Sequence, residues 1–148
     1  MHKLTSTVRI EAPVEVVFAF VDDWRNTTRY LRGLDRFEPK HPDRTQGLGA
    51  HFAAVVKLGP VKLDGEMEVV EHVPNERVVF VTIKGPKVRG EWVFRPDGDA
   101  TIVELTNTFL DIPGGVAGRV VGKVLDTQAG KDLDGSLTDL KRIIEVGD

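Results

Sequence analysis

The chain has 148 residues, 41% hydrophobic and 29% charged, enough to bury a core in one ordinary globular domain spanning 1–148. A formal net charge of −3 leaves no broad basic field, which argues against nucleic acid as a partner. With no cysteine, disulfides, thiolate chemistry and cysteine-based zinc sites are excluded.

The opening stretch, MHKLTSTVRIEAP, lacks the apolar segment of a secretory signal, and no window approaches the roughly 18 apolar residues of a membrane span. The expected location is therefore cytoplasmic, and the NTT sequon at Asn26 reads as a chance match. Residues 3–11 alternate and carry β-branched Thr5, Val8 and Ile10, which predicts a first strand. Pro13 then opens a short amphipathic helix, with Val14, Val17, Phe18 and Val21 at i, i+3, i+4 and i+7. A second short helix is expected from Trp24 to Leu31, ending near Gly33.

From Leu34 to Phe109 the pattern becomes alternating segments separated by LGPVK, HVPNER, KGPKVRG and RPDGDAT. Six strands are predicted, near 34–39, 49–58, 61–71, 77–84, 88–95 and 101–111. Connections this short require antiparallel neighbours. Strand faces follow from period two: Val61, Leu63, Met67 and Val69 oppose Lys62, Asp64, Glu66 and Glu68. Likewise Trp92 and Phe94 turn inward, as do Val103, Leu105, Asn107 and Phe109, and Phe52, Ala54 and Val56. Strand 77–84 is apolar on both faces, so its parity stays open. One face of this sheet is dry and must be covered, and the closing segment, read as the longest helix, is the element long enough to cover it.

In order and spacing, VRIEAPVEVVFAFVDDW, GLGAHF, VVEHVPNERVVF, GEWVFRPDGDATIVEL and LTDLKRIIE together make the chain resemble the START/Bet v 1-like (SRPBCC) superfamily. Within it the nearest likeness is to the polyketide cyclase/dehydrase and coenzyme-Q-binding branch. The resemblance covers essentially the whole chain. It implies an α+β helix-grip fold: a curved seven-stranded antiparallel sheet around a long C-terminal helix, with two short helices after strand 1 and a hydrophobic cavity inside. Such proteins bind lipids, quinones, sterols, hormones or polyketides, and only some are enzymes. No catalytic motif of the family maps onto this chain.

The closing helix carries Gly114, Gly118, Gly122, Gly130 and Gly135, although each glycine in a helix costs about 1 kcal/mol relative to alanine. Small residues dominate the first half of one face (Gly118, Gly122, Ala129), and Leu133, Leu137, Leu140 and Ile144 fill the second. The glycines either leave volume for a ligand or let another backbone pack closely. On the cavity reading, the walls are Phe52, Val56, Met67, Trp92, Phe94, Leu105, Asn107 and Phe109 from the sheet, with Gly118, Gly122 and Leu125 from the helix. A second stripe, Val116, Ala117, Val120, Val121 and Val124, either packs beneath a loop or hairpin or marks a dimer contact or membrane-docking gate.

Asn107 is the one strongly polar side chain on the inward face of its strand, balanced between a ligand contact and a satisfied core amide; Thr82 is a weaker candidate. His41, His51 and His72 read as ordinary surface or turn histidines, without metal-ligand spacing. Neither Asp22–Asp23 nor Glu66–Glu68 looks like a sequestered acid/base couple. The glycines of GLGAHF precede a strand, which suits a turn rather than a phosphate loop. Arg25, Arg29 and Arg32 form a basic ridge, read as a solvated face or, at a cavity mouth, a site for anionic groups.

Three functions follow: a non-enzymatic binder or carrier of a small hydrophobic molecule (lipid, quinone or aromatic polyketide-like), an aromatase/cyclase-type enzyme using the same cavity, or a protein-interaction module using the valine stripe. No cofactor or metal is expected. The expected partner is a small hydrophobic molecule, with a transient membrane contact allowed, and the expected assembly is a monomer or weak homodimer.

Overall fold

The computed structural model describes residues 2–58, 60–110 and 128–147. In chain order it contains β1 (His2–Ile10), α1 (Val14–Asp22), a 3₁₀ turn (Trp24–Asn26), α2 (Thr27–Tyr30) and β2 (Leu34–Pro39). There follow β3 (His51–Leu58), β4 (Val61–Val73), β5 (Arg77–Lys84), β6 (Val88–Asp97), β7 (Ala100–Phe109) and α3 (Gly130–Val146).

The seven strands form one curled antiparallel sheet in the order β1-β7-β6-β5-β4-β3-β2. Consecutive strands from β2 to β7 are neighbours, as their short connections require. Strand β1 pairs instead with β7, in a register running from His2 opposite Phe109 to Ile10 opposite Thr101. The first two strands therefore lie at opposite edges, and α1 and α2 carry the chain between them. With α3 packed along β1, this is the expected helix-grip arrangement.

Local chemistry accounts for most boundaries. Pro13 sits at the N-cap of α1 with φ −62°, the value its ring imposes, and Val17, Phe18 and Val21 are the buried stripe. The second helix is split: the Asp23 carboxylate accepts from the Arg25 backbone N–H at 3.1 Å, which caps a 3₁₀ turn ahead of the four residues of α2. Gly47 and Gly49, with φ of +82° and +85°, make the turn expected of GLGAHF, and β3 starts after it at His51. Leu133, Leu137, Leu140 and Ile143 are the buried face of α3, and Gly147 ends it in the left-handed conformation, φ +84°. The closing helix is described only from Gly130; Gly114, Gly118, Gly122, Leu125 and the Val116–Val124 stripe lie outside the described residues.

Register settles the parity of β5. Val78 opposes Trp92, Phe80 opposes Gly90 and Thr82 opposes Met67, so these three face inward. Val79 lies on the outer face yet is only 1% exposed. Its cross-strand neighbours are Glu71 and Glu91, and Arg77 pairs with both, roofing the valine over. That ion-paired roof is why β5 reads as apolar on both sides. Strand β4 pairs Val69 with Phe80 and then Glu71 with Val79, so Val70 is the extra residue of a β-bulge.

Candidate functional site

The concave face is filled unevenly. Helix α1 lays Val17 and Phe18 over Ile10, Phe94, Val103 and Leu105, and α3 adds Leu137 and Leu140, forming a continuous core. Phe18 meets Phe94 edge-on at 5.1 Å, and Trp92 stacks on Phe94 at 6.1 Å. Beyond Trp92 the packing opens into a cavity of about 190 Å³ between the sheet, the α1–α2 region and the 45–50 segment.

Of the sheet residues expected to wall a cavity, Phe52, Val56, Met67, Trp92, Asn107 and Phe109 line this one. Phe94 and Leu105 do not; they are 3% and 1% exposed within the solid core, because α1 covers that part of the sheet. Gly118, Gly122 and Leu125 lie outside the described residues. Sequence reasoning missed Asp22, Trp24, Tyr30, Phe37 and Phe80, all of which reach the cavity. Trp24 and Tyr30 come from the 3₁₀ turn and α2, whose few residues give no periodic signal, and Asp22 is a charged residue at the last position of α1. Both tryptophans, the single tyrosine and four of the seven phenylalanines line the cavity. Phe37 stacks on Phe52 at 4.5 Å, and Tyr30 meets Trp92 edge-on at 6.1 Å.

Glycine makes room for one of these rings. Gly90 lies directly beneath Phe80, where a Cβ would overlap carbons of the ring. The missing side chain lets Phe80 lie flat against the sheet instead of standing in the cavity. Gly135 acts similarly on α3: a Cβ there would strike the guanidinium of Arg32, which crosses the helix to pair with Asp139 at 2.9 Å.

Polar groups at the wall are few and mostly engaged. Among the described lining residues only Asp22 and Arg32 are charged. Asp22 pairs with His72 Nε2 at 3.0 Å and accepts from Gln46 Nε2 at 2.9 Å. His72 is thus no surface histidine: the bulge at Val70 shifts the strand's phase and turns it inward, edge-on to Phe18 at 5.5 Å. Asp22 is half of a secluded couple, with a partner 50 residues away. The arginine ridge is engaged within the protein, since Arg25 pairs with Asp23 and holds its carboxyl below the usual range, while Arg29 donates to Asn26 Oδ1 and lies over Phe20. Arg32 also donates its backbone N–H to Ser136 Oγ at 2.8 Å, and that hydroxyl donates to the Asp132 carbonyl at 2.6 Å.

Tyr30, 2% exposed, has its hydroxyl pushed well above the usual tyrosine range by burial; a Thr27 hydrogen bond opposes the shift and the Asp22 charge adds to it. Thr82 Oγ1 accepts the Val88 N–H at 2.8 Å, so it clasps the β5–β6 turn rather than facing a ligand. Asn107 differs: its Oδ1 is buried and has no hydrogen-bond partner among the described residues. It stands between the cavity and a smaller one of about 110 Å³ reaching Gln128, Ala129 and Asp132 at the start of α3. A buried acceptor without a donor is unusual enough to call for one. Among the described residues no His/Cys/Asp/Glu group suits a metal ion, and no helix is long and apolar enough to cross a membrane.

Solved structures share this architecture. TTHA0849 from Thermus thermophilus superposes with a TM-score of 0.82 at 23% identity, covering 99% of both chains. The Zhui aromatase/cyclase from Streptomyces sp. R1128 does so at 0.75 and 16%, covering 99% of this chain and 97% of its own. The di-domain aromatase/cyclase StfQ from the steffimycin biosynthetic pathway gives 0.68 and 19%, covering 97% of this chain and 45% of its own. At these identities the likeness establishes the fold. No curated protein matches the chain in sequence. The sequence model of the family described as polyketide cyclase/dehydrase and lipid transport matches residues 1–145, and the chain belongs to that family.

Proposed function

We propose that residues 1–148 act as one ligand-binding domain holding a neutral, ring-bearing hydrophobic molecule, of quinone or aromatic polyketide-like kind, in the cavity beside Trp92. The observation that carries this reading is a wall rich in aromatic rings, in which, among the described residues, the one buried polar atom without a partner is Asn107 Oδ1. Neutrality follows from the wall: its two charges are already met within the protein, so a charged ligand group would be desolvated without compensation. Affinity would come from buried apolar area, about 25 cal/mol per Å², and orientation from a hydroxyl donated to Asn107.

Fluorescence titration with N-phenylnaphthylamine tests the cavity. In Gly90→Ala the Phe80 ring must swing into the cavity, and affinity should fall at least about tenfold while circular dichroism is unchanged. Unaltered affinity in the folded variant would refute the assignment. Competition by naphthol against naphthalene tests Asn107: the wild type should prefer naphthol by about tenfold, and Asn107→Leu should erase the preference.

A second reading, an aromatase/cyclase-type enzyme in the same cavity, is favoured by the secluded Asp22–His72 pair and by Tyr30 beside it. Native mass spectrometry of the purified protein separates the two. A single bound compound supports a carrier; two bound species differing by one water support turnover.

A further inference from the structure

The two hairpin turns at one end of the sheet repeat a pattern, KLGPVK at 57–62 and IKGPKV at 83–88, which together hold four lysines and no acidic residue in a chain of net charge −3. The fold brings them side by side. A Cβ on Gly85 would collide with the Asp64 carbonyl, so the second turn lies against β4 just beyond Lys62. The Leu110 N–H bonds the Lys87 carbonyl at 2.8 Å, joining the end of β7 to the same rim.

Three large apolar side chains stand exposed along this rim: Val61 at 50%, Ile83 at 51% and Leu110 at 49%. Ile83 is turned out by a bulge, since Glu66 opposes Lys84 and Met67 opposes Thr82, leaving it unpaired. Among the described residues cations outnumber the carboxylates near them. Lys57 and Lys62 share Asp35, whose pKa the Lys62 and then the Lys57 hydrogen bonds lower; Lys84 lies 3.7 Å from Glu66, which Lys40 also approaches; Asp64 is a further acid beside the turn. One residue inward of the rim, Val56, Val88 and Phe109 already line the cavity.

We propose that this rim is a docking surface for an anionic lipid bilayer, with the lysines at the headgroups, Val61, Ile83 and Leu110 in the interface, and the cavity end turned toward the membrane. Protruding aliphatic tips within a cationic ring favour a bilayer over a soluble acidic partner, because both features gain from it at once.

The test is co-sedimentation of the chain with vesicles of equimolar phosphatidylcholine and phosphatidylglycerol, and with phosphatidylcholine alone. Binding should require the anionic lipid and weaken as salt rises. Lys84→Glu/Lys87→Glu should reduce it at least about tenfold, and Val61→Ser/Ile83→Ser severalfold even at low salt. Lys62→Glu provides an independent charge reversal should the double variant misfold. Each variant should keep its N-phenylnaphthylamine affinity in solution, so that loss of docking is read separately from loss of the cavity. No binding to anionic vesicles, or binding untouched by charge reversal, overturns the proposal. So does a result in which soluble polyglutamate competes fully and the serine variant binds vesicles like the wild type, which would assign the rim to an acidic macromolecule.

Discussion

Around Leu105 the concave face of the sheet is solid, whereas around Asn107, two residues along the same strand, it is hollow. Both regions come from the same alternation, with apolar side chains facing the same way, and Trp92 belongs to each. What differs is the cover. Over Ile10, Phe94, Val103 and Leu105 lie two helices presenting large side chains; over Phe52, Met67, Phe80 and Phe109 lie a 3₁₀ turn, a four-residue helix and a loop with glycines. A strand pattern therefore states which face is dry, while the covering elements decide whether it is filled.

Truncation should separate the two regions most clearly. Leu105→Ala removes a fully buried side chain from a site with little freedom to relax and should cost about 3 kcal/mol in chemical denaturation. Met67→Ala, at a wall already bordering empty space, should cost about 1 kcal/mol. Equal losses would mean that the hollow region is packed in solution and would break the contrast.

A smaller effect is expected at their border. Because the Tyr30 pKa is raised in the folded protein, its contribution is fully present below the unfolded value of 10.0 and is lost as pH rises beyond it toward the folded value. Wild-type stability should thus fall more steeply above about pH 10 than that of Tyr30→Phe, measured by thermal melts across the alkaline range. Parallel curves would place the hydroxyl in contact with water, extending the hollow region past Tyr30.

The smallest effect is expected on α3. Gly135→Ala gains about 1 kcal/mol of helix propensity and displaces the half-exposed Arg32 from Asp139, a pair worth less than that. The net change should be stabilising by under about 1 kcal/mol, with the Arg32–Ser136 backbone tie intact. A clear destabilisation would show that Arg32 helps to close the cavity wall.

Much of this is legible in the sequence. Alternation locates all seven strands to within a few residues and gives the inward parity of Phe52, Trp92, Asn107 and Phe109, because a period of two is a strong local signal. The family likeness supplies the arrangement of the elements, which periodicity alone does not give. Parity assigns Phe94 and Leu105 to the cavity because it does not report which stretch α1 covers. Asp22 and His72 read as unrelated because their pairing spans 50 residues and because a bulge reverses the alternation between them. Gly135 reads in sequence as a small residue on a helix; its role depends on where Arg32, in the turn between α2 and β2, comes to rest.

That bulge has a wider meaning for β4. Up to Val69 the odd-numbered positions face the interior; after Val70 the even-numbered His72 does. The strand is read in two frames, and Val70 is the inserted letter between them. Removing it would straighten the ladder and leave every pairing in place, Glu71 still opposite Val79 on the outside and His72 still opposite Val78 on the inside, within reach of Asp22. A one-residue deletion there should spare the inside of the protein, whereas the same deletion in a strand paired without a bulge, such as β7, would turn the rest of the strand over.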